Sequence, residues 1–191
     1  MTPNASQTSP VPSGTCPAQA EAALLLRLRR REREALTGLV ETYGGLLART
    51  AWVVLGDAHA AEDAVQETLL AAWDSARRKR EGASLRAWLL GILVNRCRKH
   101  IRAAARRRRR EQLAARSEAA AVDATGDDGD LQAVREALAR LEGRLRDVVI
   151  LRYWQGLSVD QTAAALGVPS GTVKSRCHAA IEKLRETMRP G

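Results

Sequence analysis

The stretch from residue 158 to residue 185 contains two short helical patterns separated by a tight turn. Ser158 is a suitable N-cap for the first helix, since its hydroxyl can accept a hydrogen bond from an unpaired backbone N–H, and Gln161 stands at the capping-box position. Gly167 can adopt the left-handed conformation that ends a helix, and Pro169 prevents its continuation. The pattern predicts a helix-turn-helix whose first helix begins just after Ser158 and whose turn runs from Gly167 to Pro169.

The second helix of this pattern is predicted to begin at Ser170, whose hydroxyl would cap it. Its apolar residues recur at helical spacing and form the predicted buried stripe: Val173, Cys177, Ile181 and Leu184. The polar and cationic residues at its beginning are predicted to face outward, where such side chains can bind DNA. These candidate DNA-binding residues are Ser170, Thr172, Lys174, Ser175, Arg176 and His178.

Composition favours an all-α protein, because aromatic residues make up 3% of the chain, Phe is absent and no alternating apolar and polar run occurs. Cys16, Cys97 and Cys177 form no C-x-x-C pair, and Cys97 with His100 offers too few ligands for a zinc site of about four. We therefore predict no metal and no other cofactor. No apolar run approaches the roughly 18 residues that a membrane span needs, so we expect a cytoplasmic protein without membrane insertion.

The net charge of +9 is concentrated in one segment. Residues 96–110 hold nine Lys and Arg and no acid, so the rest of the chain has equal numbers of both signs. Such a run binds phosphates through counterion release; a solvated charge run or an unspecific tether is the alternative. Residues 117–130 carry five acids, no bases and no helical stripe, which indicates a flexible linker.

These features predict an all-α fold of two small helical domains joined by a flexible linker, the C-terminal domain being a helix-turn-helix. The first domain contains two or three helices before residue 56, with Gly44-Gly45 as a possible break, then a helix capped by Asp57 and a long helix capped by Ser84. The predicted divisions are a disordered tail over 1–20, a helical domain over 21–110, an acidic linker over 111–130 and a helix-turn-helix domain over 131–191.

Three segments together resemble the extracytoplasmic-function (ECF) sigma factors of bacterial RNA polymerase. They are GDAHAAEDAVQETLLAAWDSA, GASLRAWLLGILVNRCRKHIR and LRDVVILRYWQGLSVDQTAAALGVPSGTVKSRCHAAIEKLRE, and the resemblance covers roughly residues 34–106 and 131–188. It implies sigma regions two and four, joined by a linker where housekeeping sigma factors have a further domain. It also implies that the partners are core RNA polymerase, promoter DNA and an anti-sigma factor, and that the polymerase supplies all catalysis.

The resemblance assigns roles to particular residues. The surface that docks on the polymerase would comprise Asp63, Gln66, Glu67 and Leu70, for which a solvated acidic face is the alternative. The minus-ten element would be bound and melted by Ile92, Asn95, Arg96, Arg98, Lys99 and Arg102, of which a buried Ile and an exposed helical Asn are also ordinary features. The candidate DNA-binding residues of the helix-turn-helix would read the minus-thirty-five element.

One loop departs from the family pattern. Family members usually place an aromatic residue before Ser84, whereas this loop reads RKREGA. Base stacking on an aromatic ring contributes about 1–3 kcal/mol per base, so Lys79, Arg80 or Trp73 would have to complete the minus-ten pocket.

Two other functions stay open from sequence alone. A stand-alone helix-turn-helix regulator would bind its operator as a dimer without polymerase, although the DAVQET surface and the long linker argue against it. A nucleoid-type or RNA-binding protein that uses the arginine run would show little sequence preference.

Overall fold

The computed structural model describes residues 17–79, 84–114 and 129–188, which form eight α-helices in two groups and contain no strand. The N-terminal group comprises α1 (Pro17–Arg29), α2 (Glu34–Leu55), α3 (Ala58–Ser75) and α4 (Leu85–Ala114). The C-terminal group comprises α5 (Gly129–Ala139), α6 (Gly143–Val149), α7 (Val159–Leu166) and α8 (Ser170–Met188). The predicted all-α fold is confirmed. A 3-10 turn follows α3 (Ala76–Arg78), and a π-helical turn extends α6 (Ile150–Trp154).

Helix α2 runs without interruption through the glycine pair, so the possible break at Gly44-Gly45 is wrong. Each glycine costs a helix about 1 kcal/mol relative to alanine. Tyr43 and Leu47, on either side of the pair, are both buried in the core. Burial of this α2 face therefore outweighs the local cost of the glycines. The helix ends at Gly56, which has a left-handed φ of 68°.

Helix α3 packs between α2 and α4 through a stripe of small residues. It begins as predicted after Asp57, whose carboxylate accepts a hydrogen bond from the N–H of Ala60 at 2.8 Å. The fully buried positions are Ala64, Thr68 and Ala72, whereas the larger Val65 remains partly exposed. Small side chains let the three helices approach closely.

The helix-turn-helix forms as predicted at its first helix and its turn. Ser158 and Gln161 make both bonds of the capping box, at 3.1 and 2.8 Å, and Gly167 ends α7 with φ 65°. Val173 and Ala180 of α8 are fully buried. The other residues of the predicted stripe, Cys177, Ile181 and Leu184, are partly exposed.

The two groups pack against each other through one continuous hydrophobic cluster, a contact that the sequence did not predict. Leu138 and Leu157 of the C-terminal group share this cluster with Leu47 and Leu89 of the N-terminal group. Helices α4 and α7 approach so closely that a Cβ at Gly91 would lie 2.3 Å from the carbonyl oxygen of Ala165.

A buried polar network also joins the groups. The Arg86 guanidinium donates to the backbone oxygen of Gln155 at 2.8 Å and to its side-chain oxygen at 2.9 Å. The side-chain amide of Gln155 in turn donates to the hydroxyl of Thr50 at 2.7 Å. Arg135 lies over the ring of Trp52, with its guanidinium carbon 4.9 Å from the ring centroid. These directional contacts fix one relative orientation of the groups.

Helices of the structure extend into the predicted tail and the predicted linker. Helix α1 includes residues 17–20, α4 includes residues 111–114, and α5 includes residues 129 and 130. The remaining parts of those predictions, residues 1–16 and 115–128, lie outside the described residues. Within the parts of the chain that are described, no helix combines the length and the apolar character that a membrane span requires.

Candidate nucleic-acid interface

Helix α8 presents a polar and cationic face beside the turn. Val173 is fully buried and anchors the helix, whereas Lys174, Ser175 and His178 are exposed. The three other predicted residues, Ser170, Thr172 and Arg176, are partly buried. The helix therefore shows cationic and hydroxyl side chains of the kind that contact base edges in the DNA major groove.

The predicted capping role of Ser170 is wrong. Ser170 is the first residue of α8, and the carbonyl of the preceding Pro169 accepts the first backbone bonds, from Thr172 at 2.9 Å and Val173 at 3.2 Å. The hydroxyl of Ser170 instead donates to the carboxylate of Asp160 at 2.7 Å. A carboxylate acceptor gives a stronger bond than a backbone partner, and it ties the beginning of α8 to α7.

The predicted minus-ten residues of α4 fall into two classes. Asn95, Lys99 and Arg102 are exposed, and Ile92 packs partly buried against the hydrophobic cluster. The other two make ion pairs within the protein: Arg96 with Glu67 at 3.4 Å, and Arg98 with Asp147. Residues 106–110 continue the same helix and are all exposed.

Asp147 and Gln155 are contact residues that the sequence prediction missed. The side chain of Asp147 is 5% exposed, and it pairs with Arg98 across the two groups. The signal in the sequence was a single carboxylate before the apolar run Val148, Val149 and Ile150, because a charged residue at a buried position needs a partner.

Two of the predicted substitutes for the missing aromatic residue, Lys79 and Trp73, pack within the protein. Lys79 is only 6% exposed, and burial together with the charge of Arg29 lowers its pKa. Trp73 lies beneath Arg31, with the guanidinium carbon 5.3 Å from the ring centroid. Arg80 lies outside the described residues. Lys79 is therefore too buried to contact a phosphate.

Helix α3 presents an exposed surface that combines polar and apolar side chains, which we call the α3 surface (Asp63, Gln66 and Leu70). Leu70 is 63% exposed, the highest fraction among the large apolar side chains of the described residues. Glu67 lies at its edge, where its carboxylate is 3.4 Å from Arg96 and 3.2 Å from His100 of α4. The predicted docking residues thus lie together, with Glu67 linked to the helix predicted to bind the minus-ten element.

Both groups of helices match known families. Residues 39–107 match the family described as Sigma-70 region 2, and residues 131–184 match Sigma-70, region 4. The chain is 34% identical over 166 residues to the ECF RNA polymerase sigma factor SigL of Mycobacterium tuberculosis, which covers 82% of this chain and 90% of SigL. This chain belongs to the ECF sigma factor family.

Solved structures support the same assignment for this sigma factor. The structure of CnrH in complex with the cytosolic domain of CnrY has a TM-score of 0.65 and 26% identity, covering 88% of this chain and 97% of CnrH. RpoE of Bartonella quintana, solved with the anti-sigma factor NepR, has a TM-score of 0.60 and 30% identity, covering 78% of this chain and 94% of RpoE. The predicted family is confirmed.

The family consists of DNA-binding transcription initiation factors rather than enzymes. Within the described ranges, no three His, Cys, Asp or Glu side chains lie close enough together to hold a metal ion. Burial raises the pKa of the Cys97 thiol to about 12, so this cysteine is a protonated core residue at neutral pH. The side chains of these surfaces offer charge and hydrogen bonding for recognition.

Proposed function

We propose that this sigma factor binds core RNA polymerase through the α3 surface and directs it to promoters by contacting two DNA elements. Helix α8 reads the minus-thirty-five element. Helix α4 binds the minus-ten element and holds open the upstream edge of the melted bubble. The observation that carries the proposal is the pair of cationic faces, one on each group of helices, in a chain whose two groups match sigma regions two and four.

The exposed position of Leu70 supports the docking part of the proposal. If this were only a solvated acidic face, which is the alternative, nothing would cover the side chain of Leu70, which is 63% exposed. Interfaces combine an apolar centre with a polar rim, and Asp63 and Gln66 supply that rim on the same helix face.

The proposal includes an anti-sigma factor as the partner that restrains the protein, and the cytoplasm as its place of action. Its support is the pair of structural relatives, which are described as complexes of CnrH with the cytosolic domain of CnrY and of RpoE with the anti-sigma factor NepR. The likeness to these relatives covers 88% and 78% of this chain.

Reconstituted transcription tests the proposal. The purified full chain is added to core RNA polymerase on fragmented DNA of the source bacterium, and the 5′ ends of the transcripts are sequenced. We expect transcripts that start at a fixed distance downstream of two shared sequence elements and that disappear without the sigma factor. Sequence-specific binding without polymerase would instead indicate a stand-alone regulator, and uniform binding to all DNA would indicate a nucleoid-type protein.

A further inference from the structure

A cavity of about 280 Å³ lies between the two groups of helices, with arginines from both groups in its wall. Arg98 and Arg102 come from α4, and Arg144 and Arg146 come from α6. Two carboxylates, Glu142 and Asp147, also line it. Arg98 and Arg102 are also predicted minus-ten residues, whereas Arg144, Arg146 and the two carboxylates belong to neither promoter-binding face nor to the α3 surface.

Two of the arginines are already engaged within the protein. Arg146 is buried, and its guanidinium donates to the carbonyl oxygens of Leu138 at 2.8 Å and Leu141 at 3.0 Å. Arg98 forms an ion pair with the buried carboxylate of Asp147. These two arginines therefore help to shape the wall of the cavity.

The other two arginines have unused capacity to bind an anion. Arg102 and Arg144 are exposed. Within the ranges that the structure describes, neither guanidinium group donates a hydrogen bond or makes an ion pair. The Nε of Arg98 is buried and has no hydrogen-bond acceptor there. Glu142 is the remaining carboxylate, and it is exposed.

The positive charges in this region lie close enough to affect one another. Burial lowers the pKa of Arg98, and the charges of Arg102, Arg144 and Arg176 lower it further. Like charges this close repel, and the repulsion is stronger in a partly enclosed site than in water. A bound anion would relieve that repulsion.

We propose that this cavity binds a phosphate group. Phosphate carries more charge than a carboxylate and offers more acceptor oxygens, and the planar guanidinium fork of arginine binds those oxygens in pairs. Arginines that approach from two different helices suit a tetrahedral anion. The volume of 280 Å³ is at the lower end of small-ligand sites, so the occupant is a small anion such as pyrophosphate, or a single phosphate of a DNA backbone.

Phosphate bound here would bridge the two groups, because Arg102 and Arg144 belong to different groups. It would therefore stabilise the packed arrangement seen in the structure and hold Arg98 and Arg102 away from promoter DNA. The site itself does not depend on the promoter-reading roles. Its failure would leave the proposed function untouched.

Titration calorimetry of the full chain with sodium pyrophosphate, at constant ionic strength, tests the site. Arg144→Ala should weaken binding at least about tenfold, since it removes a charged donor to the bound anion. Arg140→Ala is the matched control, because Arg140 is also exposed and lies just before α6 but does not line the cavity. Thermal unfolding of both variants checks that the fold is intact.

Absence of measurable pyrophosphate binding would overturn the proposal, as would equal weakening by Arg144→Ala and Arg140→Ala. A second titration with a short duplex that lacks promoter elements identifies the source of the phosphate. If pyrophosphate displaces the duplex and Arg144→Ala weakens both ligands alike, the occupant is a backbone phosphate. If pyrophosphate binds without displacing the duplex, the occupant is a small free anion.

Discussion

Arg176 is the partly buried cation on the reading face of α8, and its charge acts on Arg98 of the other group. We expect Arg176→Ala to weaken binding of the polymerase holoenzyme to the cognate minus-thirty-five element by about 1–3 kcal/mol, since a bidentate contact to guanine contributes that much discrimination. Binding is measured by fluorescence anisotropy on cognate and scrambled duplexes. An equal loss on both duplexes would mean that Arg176 contacts only phosphates. Arg185→Ala, at an exposed position near the end of the same helix, is the control.

Cys97 makes the stability of the protein depend on pH in the alkaline range. Its pKa is raised by burial from 9.0 to about 12, so between those values the unfolded chain loses a proton that the native protein keeps. The free energy of unfolding should therefore be unaffected by this group below pH 9 and fall above it, by up to about 1.4 kcal/mol per pH unit.

Urea unfolding of the wild type and Cys97→Ala at pH 8 and pH 10.5 tests this prediction. The variant should lose less stability between the two pH values than the wild type. Tyr43, whose pKa burial also raises, is present in both proteins and cancels from the comparison. Parallel losses in the two proteins would show that Cys97 titrates normally in the folded state.

Residue-level predictions succeeded where the partner is close in sequence and failed where it is distant. The Ser158 and Gln161 capping box follows from a three-residue spacing, and both of its bonds form. Ser170 was assigned a similar role, but its hydroxyl binds Asp160, ten residues away on another helix. The pairing of Arg98 with Asp147 spans the two groups of helices. No local pattern encodes such a contact.

At the scale of single elements, helix α3 offers a direct test of polymerase docking. Asp63→Lys combined with Leu70→Ala should weaken association with core polymerase, because it removes the apolar centre and reverses the charge of the rim. Both side chains are exposed, so the free energy of unfolding should change by less than about 0.5 kcal/mol for each. Glu67 is left unchanged, since its contacts with Arg96 and His100 would be lost with it.

The matched control for this variant is Glu41→Lys combined with Val40→Ala. Val40 and Glu41 are exposed on α2, so the control removes an exposed apolar group and reverses one carboxylate elsewhere on the same group of helices. Competition with wild type for core polymerase measures the difference. A docking variant that competes as well as its control would remove the α3 surface from the interface.

Helix α4 is the element proposed to open the promoter, and Asn95 is exposed on it. We expect Asn95→Ala to reduce transcription from a fully duplex promoter far more than from a template already unpaired at the minus-ten element. Gln112→Ala removes another exposed amide of the same helix and should affect neither template. Equal defects of the Asn95 variant on both templates would count against a role in opening.

Element boundaries were predictable where caps are strong. Asp57 and Ser158 each begin a helix at the predicted residue, because their side chains accept a backbone bond that no other group satisfies. The unbroken course of α2 through Gly44-Gly45 was not predictable, since it depends on packing against helices that lie later in the chain. The same reason explains why Thr68 rather than Val65 is fully buried on α3.

At the scale of the whole molecule, the packed arrangement conflicts with the proposed task. Reading two elements separated along a duplex requires the two groups to move apart, yet they share one hydrophobic cluster and the Arg86, Gln155 and Thr50 network. The 14 residues between Ala114 and Gly129 have a fully extended length of about 50 Å. This length permits separation by more than one duplex turn, so the contact between the groups must be reversible.

Gly91→Ala tests that contact at its tightest point. A methyl group at position 91 would lie 2.3 Å from the carbonyl oxygen of Ala165, so α4 and α7 must move apart, while alanine by itself favours the helical state of α4. We expect a larger radius of gyration in small-angle scattering. Gly45→Ala makes the same change inside α2, where the nearest atom lies 3.8 Å away in the Arg49 side chain, and should leave the radius unchanged. If both variants scatter like the wild type, the α4 and α7 contact adjusts to a methyl group and does not control separation. A larger radius for Gly91→Ala alone would show that the packed arrangement of the two groups requires the close approach of α4 to α7.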